Sequence, residues 1–224
     1  MLIESFVREF SRHDAVVLYI LAKSFLGATN FEKMTEDFLQ TLSLEASKMK
    51  NLPFIYFLPQ NIDLNMLRVL YASVDAFVLP SHGEGWGRPH VEAMSMGLPI
   101  ISTFWSGPTA YMTNQNSYPL RIKGLIPADV PDTMFKGHKW ADPDRDHLRE
   151  LMRHVMSHPD EARQKGIQAR KDMVDKFCPA CINTILVAHL HRITKRLYAA
   201  HPSLYYHVNT TLESFAAESP DFFH

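Results

Sequence analysis

The chain has 224 residues, about one and a half times a typical domain of ~150, so it holds one generous domain or one domain with extensions. With 46% hydrophobic and 21% charged residues it has ordinary globular composition, which excludes a disordered or collagen-like chain. Twenty-three Lys+Arg against 24 Asp+Glu leave a formal charge of −1 and no electrostatic footprint for duplex nucleic acid, and the two cysteines are too few for a disulfide-stapled scaffold.

In chain order, Leu2, Ile3, Phe6, Val7 and Phe10 recur at helical spacing, with Glu4, Arg8 and Glu9 on the other face. Ala15 to Leu21 is a continuous apolar run of the kind expected of a strand buried on both faces. Residues 31–49 read as one helix, Phe54 to Leu58 as a strand, Leu64 to Ala72 as a helix, and Ala76 to Leu79 as a strand ending at Pro80. A helical stretch closes at Gly97 and Pro99, and Ile100-Ile101 follows as a strand. Residues 113–143 carry Asn, Pro, Gly and Asp at short intervals and read as a long loop with one short strand near Tyr118 to Ile122. Three helices follow, at 147–158, 161–177 and 180–198, and residues 199–224 form an aperiodic tail. Strands alternating with helices in this way predict a Rossmann-like, doubly wound α/β domain over residues 1–198, with ligands at the carboxyl ends of its strands. No apolar run approaches the ~18 residues needed to span a membrane, so the default location is cytoplasmic.

Three of the nine glycines, Gly83, Gly85 and Gly87, fall within five residues directly after the strand ending at Pro80. Glycines there let a ligand approach the backbone N–H groups, and a helix beginning at Arg88-Pro89 adds unpaired donors and a positive dipole end. This is a site for an anion, most naturally a diphosphate. Glu84 and Glu92 flank it, and a carboxylate beside a phosphate site is suited to accepting hydrogen bonds from vicinal sugar hydroxyls.

The stretch Pro80-Ser81-His82-Gly83-Glu84-Gly85-Trp86-Gly87-Arg88-Pro89-His90-Val91-Glu92-Ala93-Met94, followed by Gly97-Leu98-Pro99-Ile100-Ile101, resembles the donor-binding signature of retaining GT-B glycosyltransferases of the family 4, or group 1, type. The likeness extends over residues 1–198, through Phe57-Leu58-Pro59-Gln60-Asn61, Leu67 to Asp75, Trp105 to Thr109 and Gly137 to Trp140. The resemblance implies that Glu84 contacts the transferring sugar, that Glu92 holds the ribose hydroxyls, and that the Gly85, Trp86, Gly87 and Arg88 backbone binds the diphosphate of a UDP-, GDP- or ADP-sugar. It places Pro59 and Gln60 beside the base, and it implies no required metal and no further cofactor. Gly83 belongs to the same loop, and His82 lines it.

The resemblance covers only the C-terminal, donor-binding half of such enzymes. In the family a strand precedes the helix at 2–10, and an Arg and a Lys on the connection balance the donor phosphates. Met1 leaves no room for them, so the expectation is a half without its first, central strand, inactive alone and needing an acceptor half. Lys23, at the end of an apolar strand, is a candidate for the missing phosphate charge, although a snorkelling lysine is the commoner reason for one there. A non-catalytic nucleotide-sugar module and a fold-only interaction domain are the alternatives. Surface or capping roles are the default for the twelve histidines. Cys178-Pro179-Ala180-Cys181 reads as a helix start capped by Cys178 more readily than as a redox or zinc motif, and Trp105 and Trp140 read as core or loop anchors.

Overall fold

The computed structural model describes residues 1–23, 30–59, 61–128 and 135–201. They fall into two units, Met1–Val174 and Asp175 onward. The first unit runs α1 (Leu2–Glu9), β1 (Val17–Ile20), α2 (Phe31–Thr41), α3 (Ala46–Lys50), β2 (Phe54–Phe57), α4 (Leu64–Ser73), β3 (Phe77–Leu79), α5 (Arg88–Ser95) and β4 (Ile100–Thr103). A 3-10 turn (Gly107–Ala110), β5 (Tyr118–Leu120), β6 (Ile122–Pro127), β7 (Lys139–Pro143), α6 (Arg145–Ser157) and all but the last two residues of α7 (Pro159–Lys176) complete it.

The expected parallel α/β arrangement is present, in two pieces. β1 pairs with β2, Val17 opposite Phe54 and Ile20 opposite Phe57. β3, β4 and β5 form a separate parallel sheet in that order, with Val78 opposite Ile101 and Ile101 opposite Tyr118. The pieces share one core: Leu18, Ile55 and Val78 pack against a buried cluster of Phe6, Phe10, Ile101, Tyr118, Leu120, Leu148 and Met152. Thus side chains of α1 and α6 meet those of both sheets in this core. Arg153 of α6 pins the end of α1, its Nε on Glu9 Oε1 at 2.8 Å, its Nη1 on Asp14 at 2.6 Å and its guanidinium 4.5 Å from the Phe10 ring centroid. This contact pulls Asp14 down to about 2, the Arg153 hydrogen bond being the largest cause.

Several expectations need correction. β1 is not buried on both faces: its burial alternates, and Val17 and Tyr19 are 41% and 45% exposed among the described residues. The expected single helix at 31–49 breaks between Thr41 and Ala46, where Leu42 turns extended (ψ 118°) and Glu45 opens α3. The long loop at 113–143 contains β5 and also an antiparallel hairpin, β6 against β7, with Gly124 opposite Asp142 and Pro127 opposite Lys139.

The second unit holds α8 (Pro179–Ala200), which buries none of its residues. Cys178 is its N-cap, Sγ accepting from Cys181 N at 3.0 Å, as the motif suggested. The two sulfurs are also bonded to each other, which the cysteine count did not suggest. A link across three residues staples no scaffold, because the loop it closes is one helical turn. Among the described residues no single helix is long and apolar enough to cross a membrane.

Candidate functional site

The glycine loop leaves the carboxyl end of β3 and is stitched to the loop that follows β4. Glu84 N–H donates to Ser106 Oγ at 2.9 Å, that hydroxyl donates back to Glu84 O at 3.0 Å, and Gly107 N–H donates to the same carbonyl at 3.0 Å. Gly107 is required, since a Cβ there would stand 2.7 Å from Gly85 C and 2.8 Å from Glu84 O. Four residues after Gly107, Tyr111 Oη donates to Trp86 O at 2.6 Å. Burial raises the Tyr111 phenol, with the charge of Glu84 adding to it, so the group stays a donor.

Gly87 is the N-cap of α5 in a left-handed conformation, φ 83°. A side chain there would be strained by that φ and would meet Tyr111 Oη at 2.6 Å and His90 Nδ1 at 2.7 Å. No side chain caps α5, and the N–H groups of Gly85, Gly87 and Arg88 have no hydrogen-bond partner among the described residues. The expected anion cradle is therefore open in shape, with the positive end of α5 behind it.

The two carboxylates differ. Glu84 makes no side-chain hydrogen bond or ion pair among the described residues. Glu92 accepts from Arg88 Nε at 2.8 Å and from Tyr71 Oη at 3.3 Å. The Arg88 side chain is 80% exposed, so that bridge is weakly held and readily exchanged. Burial first, then the Glu92 charge and hydrogen bond, push Tyr71 up to about 12.

Behind the loop, His90 is wholly buried. Ser102 Oγ donates to Leu79 O at 2.8 Å, so only its lone pairs face His90 Nε2 at 2.6 Å, and Nε2 carries the proton of a neutral imidazole. Burial draws His90 down to about 4, the Gly87 carbonyl opposing. His82 sits at the loop's entrance. Its Nδ1–H donates to Ala141 O at 2.7 Å, Ala141 N–H returns a bond to His82 O at 3.0 Å, and the ring stacks on Trp140 with centroids 4.6 Å apart. Strand β7 is thereby clamped beside the loop.

The structure thus brings together His82, Gly83, Glu84, Gly85, Trp86, Gly87, Arg88 and Glu92. Lys23 and Pro59 lie exposed beyond the ends of β1 and β2, and among the described residues no hydrogen bond or ion pair ties them to the glycine loop. Gln60 lies outside the described residues. Sequence reasoning did not single out Tyr71, His90's partner Ser102, Ser106 or Tyr111. Ser106 and Tyr71 do fall in segments that carried the family resemblance. No cluster of three or more His, Cys, Asp or Glu side chains suited to a metal ion occurs among the described residues.

Parallel strands ending in a glycine loop, an uncapped helix and flanking carboxylates make an α/β domain with an anion cradle at the carboxyl end of β3. The chain belongs to the glycosyl transferases group 1 family, whose model matches residues 8–136. It is 27% identical over 106 residues to a 2-deoxystreptamine N-acetyl-D-glucosaminyltransferase of Niallia circulans, covering 47% of this chain and 22% of that protein. Its fold resembles Alr3699/HepE of Anabaena, solved with UDP-glucose, at TM-score 0.59 and 17% identity over 85% of this chain and 44% of that one. It also resembles the C-terminal domain of a group 1 glycosyl transferase (LpcC) from Francisella tularensis, at TM-score 0.57 and 16% identity over 80% of this chain and 78% of that domain. The chain therefore spans about a fifth of the Niallia transferase and less than half of the Anabaena protein.

Proposed function

We propose that this chain is the donor half of a glycosyltransferase that moves a sugar from a nucleoside diphosphate to an acceptor hydroxyl with retention of configuration. The observation that carries the reading is the contrast at Glu84: a main chain fixed by three hydrogen bonds and a carboxylate with no partner among the described residues, beside an uncapped helix end. A carboxylate so placed accepts hydrogen bonds from the hydroxyls of the transferring sugar. As the bond from the anomeric carbon to the diphosphate oxygen breaks, the Gly85 to Arg88 amides and the α5 dipole stabilise the departing charge. Arg88 exchanges Glu92 for phosphate, and Glu92 turns to the ribose hydroxyls. Pro59, Gln60 and Lys23 serve the base and phosphate side.

Acceptor binding falls to a second half, in the same polypeptide or on a partner chain. The match of this chain to only 44% of the Anabaena protein and 22% of the Niallia transferase supports that part of the reading. It equally suits a binding module that acts only with such a partner.

Calorimetry with UDP, GDP, ADP and their glucose conjugates tests the reading. One of the three bases should bind, and Glu92→Ala should weaken it by about tenfold or more, the loss of a charged hydrogen-bond acceptor. Glu84→Gln should reduce the extra affinity of the sugar conjugate and leave the free nucleotide unaffected. Wild-type protein that binds none of the six would sink the proposal, and transfer by the isolated chain would remove the need for a partner.

A further inference from the structure

Among the described residues Ser106 is the one non-glycine residue with positive φ, at φ 56° and ψ −138°. A glycine takes such a conformation freely, whereas a side chain is strained in it. If the chain needed only to turn there, glycine would serve better, so the hydroxyl must account for the serine. That hydroxyl closes a two-way bridge on a single residue, accepting from Glu84 N–H at 2.9 Å and donating to Glu84 C=O at 3.0 Å. The Ser106 carbonyl is held from the other side, by Thr109 N–H at 3.1 Å and Thr109 Oγ1 at 2.7 Å. Gly107, wedged against Gly85, fixes the distance between the two loops.

We infer that Ser106 is a positioning residue for Glu84: its strained backbone aims the hydroxyl at the Glu84 peptide, and that bridge sets the direction in which the Glu84 carboxylate leaves the loop. The inference rests on the reading of Glu84 as the group that meets the transferring sugar. Strain at 106 is thus spent on orienting a residue of the neighbouring loop, just ahead of α5.

Two variants of the full chain separate this from a plain structural role. Ser106→Gly removes both the strain and the hydroxyl, so its thermal midpoint should equal or exceed that of wild type. Its Glu84 amide should nonetheless exchange with solvent about two- to tenfold faster. Its affinity for the tightest-binding nucleotide-glucose should fall about tenfold while that for the matching free nucleotide holds. Ser106→Ala keeps the strain and loses the bridge, so it should show the same faster Glu84 exchange with a lowered midpoint. Unchanged Glu84 exchange in both variants overturns the bridge, whatever binds. Equal losses for nucleotide and nucleotide-glucose in Ser106→Gly overturn the positioning and leave the donor reading standing. Wild-type protein that binds no nucleotide or nucleotide-glucose overturns the donor reading itself, and with it the role assigned to Glu84.

Discussion

His90 shows how far the chemistry behind the loop depends on burial. Fully covered, with Nε2 donating to Ser102, it is held near 4 where an unfolded histidine titrates near 6.5. Above pH 6.5 both states are neutral, and this residue adds no pH dependence. As pH falls from 6.5 toward 4 the unfolded chain takes up a proton that the folded chain refuses, so stability declines, by up to about 3 kcal/mol over that window. Below 4 the loss levels off. His147, also lowered chiefly by burial, acts in the same direction. Urea unfolding at pH 7, 5.5 and 4.5 should therefore show a steep decline for wild type and a shallower one for His90→Leu. Parallel curves would mean that His90 takes its proton without cost to the fold.

At the level of elements, β7 of the β6–β7 hairpin is tied to the glycine loop through His82. His82 gives β7 two hydrogen bonds at Ala141 and a ring face for Trp140. His82→Ala removes the side-chain bond and the stacked ring but leaves the backbone bond, and should lower the local stability of the hairpin by about 1–2 kcal/mol. Faster amide exchange in β7 with unchanged β4 amides is the expected pattern, and unchanged β7 exchange would show that the hairpin stands by itself. The same hairpin marks a limit of the sequence. Its strands lack a clean alternation, Leu125 and Ile126 are both exposed, and Gly124 and Pro127 look like loop residues. The strands at 17–20, 54–57, 77–79 and 100–103 were legible because each is a short apolar run between turn residues. Whether one face or both would be covered was not, since Ala15 to Leu21 has the same composition either way. At the site, glycine clustering and the two glutamates were visible locally. The partners that hold them, Ser106 and Tyr111 for the loop and Tyr71 for Glu92, lie 21 to 25 residues away and meet them only through the three-dimensional fold.

For the whole molecule, the split sheet sets two tiers of stability. β4 is buried along its whole length at 0–1% exposure and flanked by β3 and β5, whereas among the described residues β1 and β2 pair only with each other and leave Val17, Tyr19, Phe54 and Tyr56 exposed. A two-stranded sheet with one bare face is marginal by itself. Native-state hydrogen exchange should show β1–β2 opening at about 2 kcal/mol or more below β4. The glycine loop hangs on the three-stranded piece, while Lys23 and Pro59 follow the two-stranded one. A nucleotide-sugar that touches both binds only when both are folded, so it must add its binding energy to the opening of β1–β2. At a hundredfold excess over Kd that addition is about 2.7 kcal/mol. Exchange in β1 and β2 should slow accordingly when the ligand is present. If β1–β2 and β4 open together without ligand, the two-tier picture fails, and if a bound ligand leaves β1–β2 exchange unaltered, the base and the diphosphate are not held by the two pieces jointly.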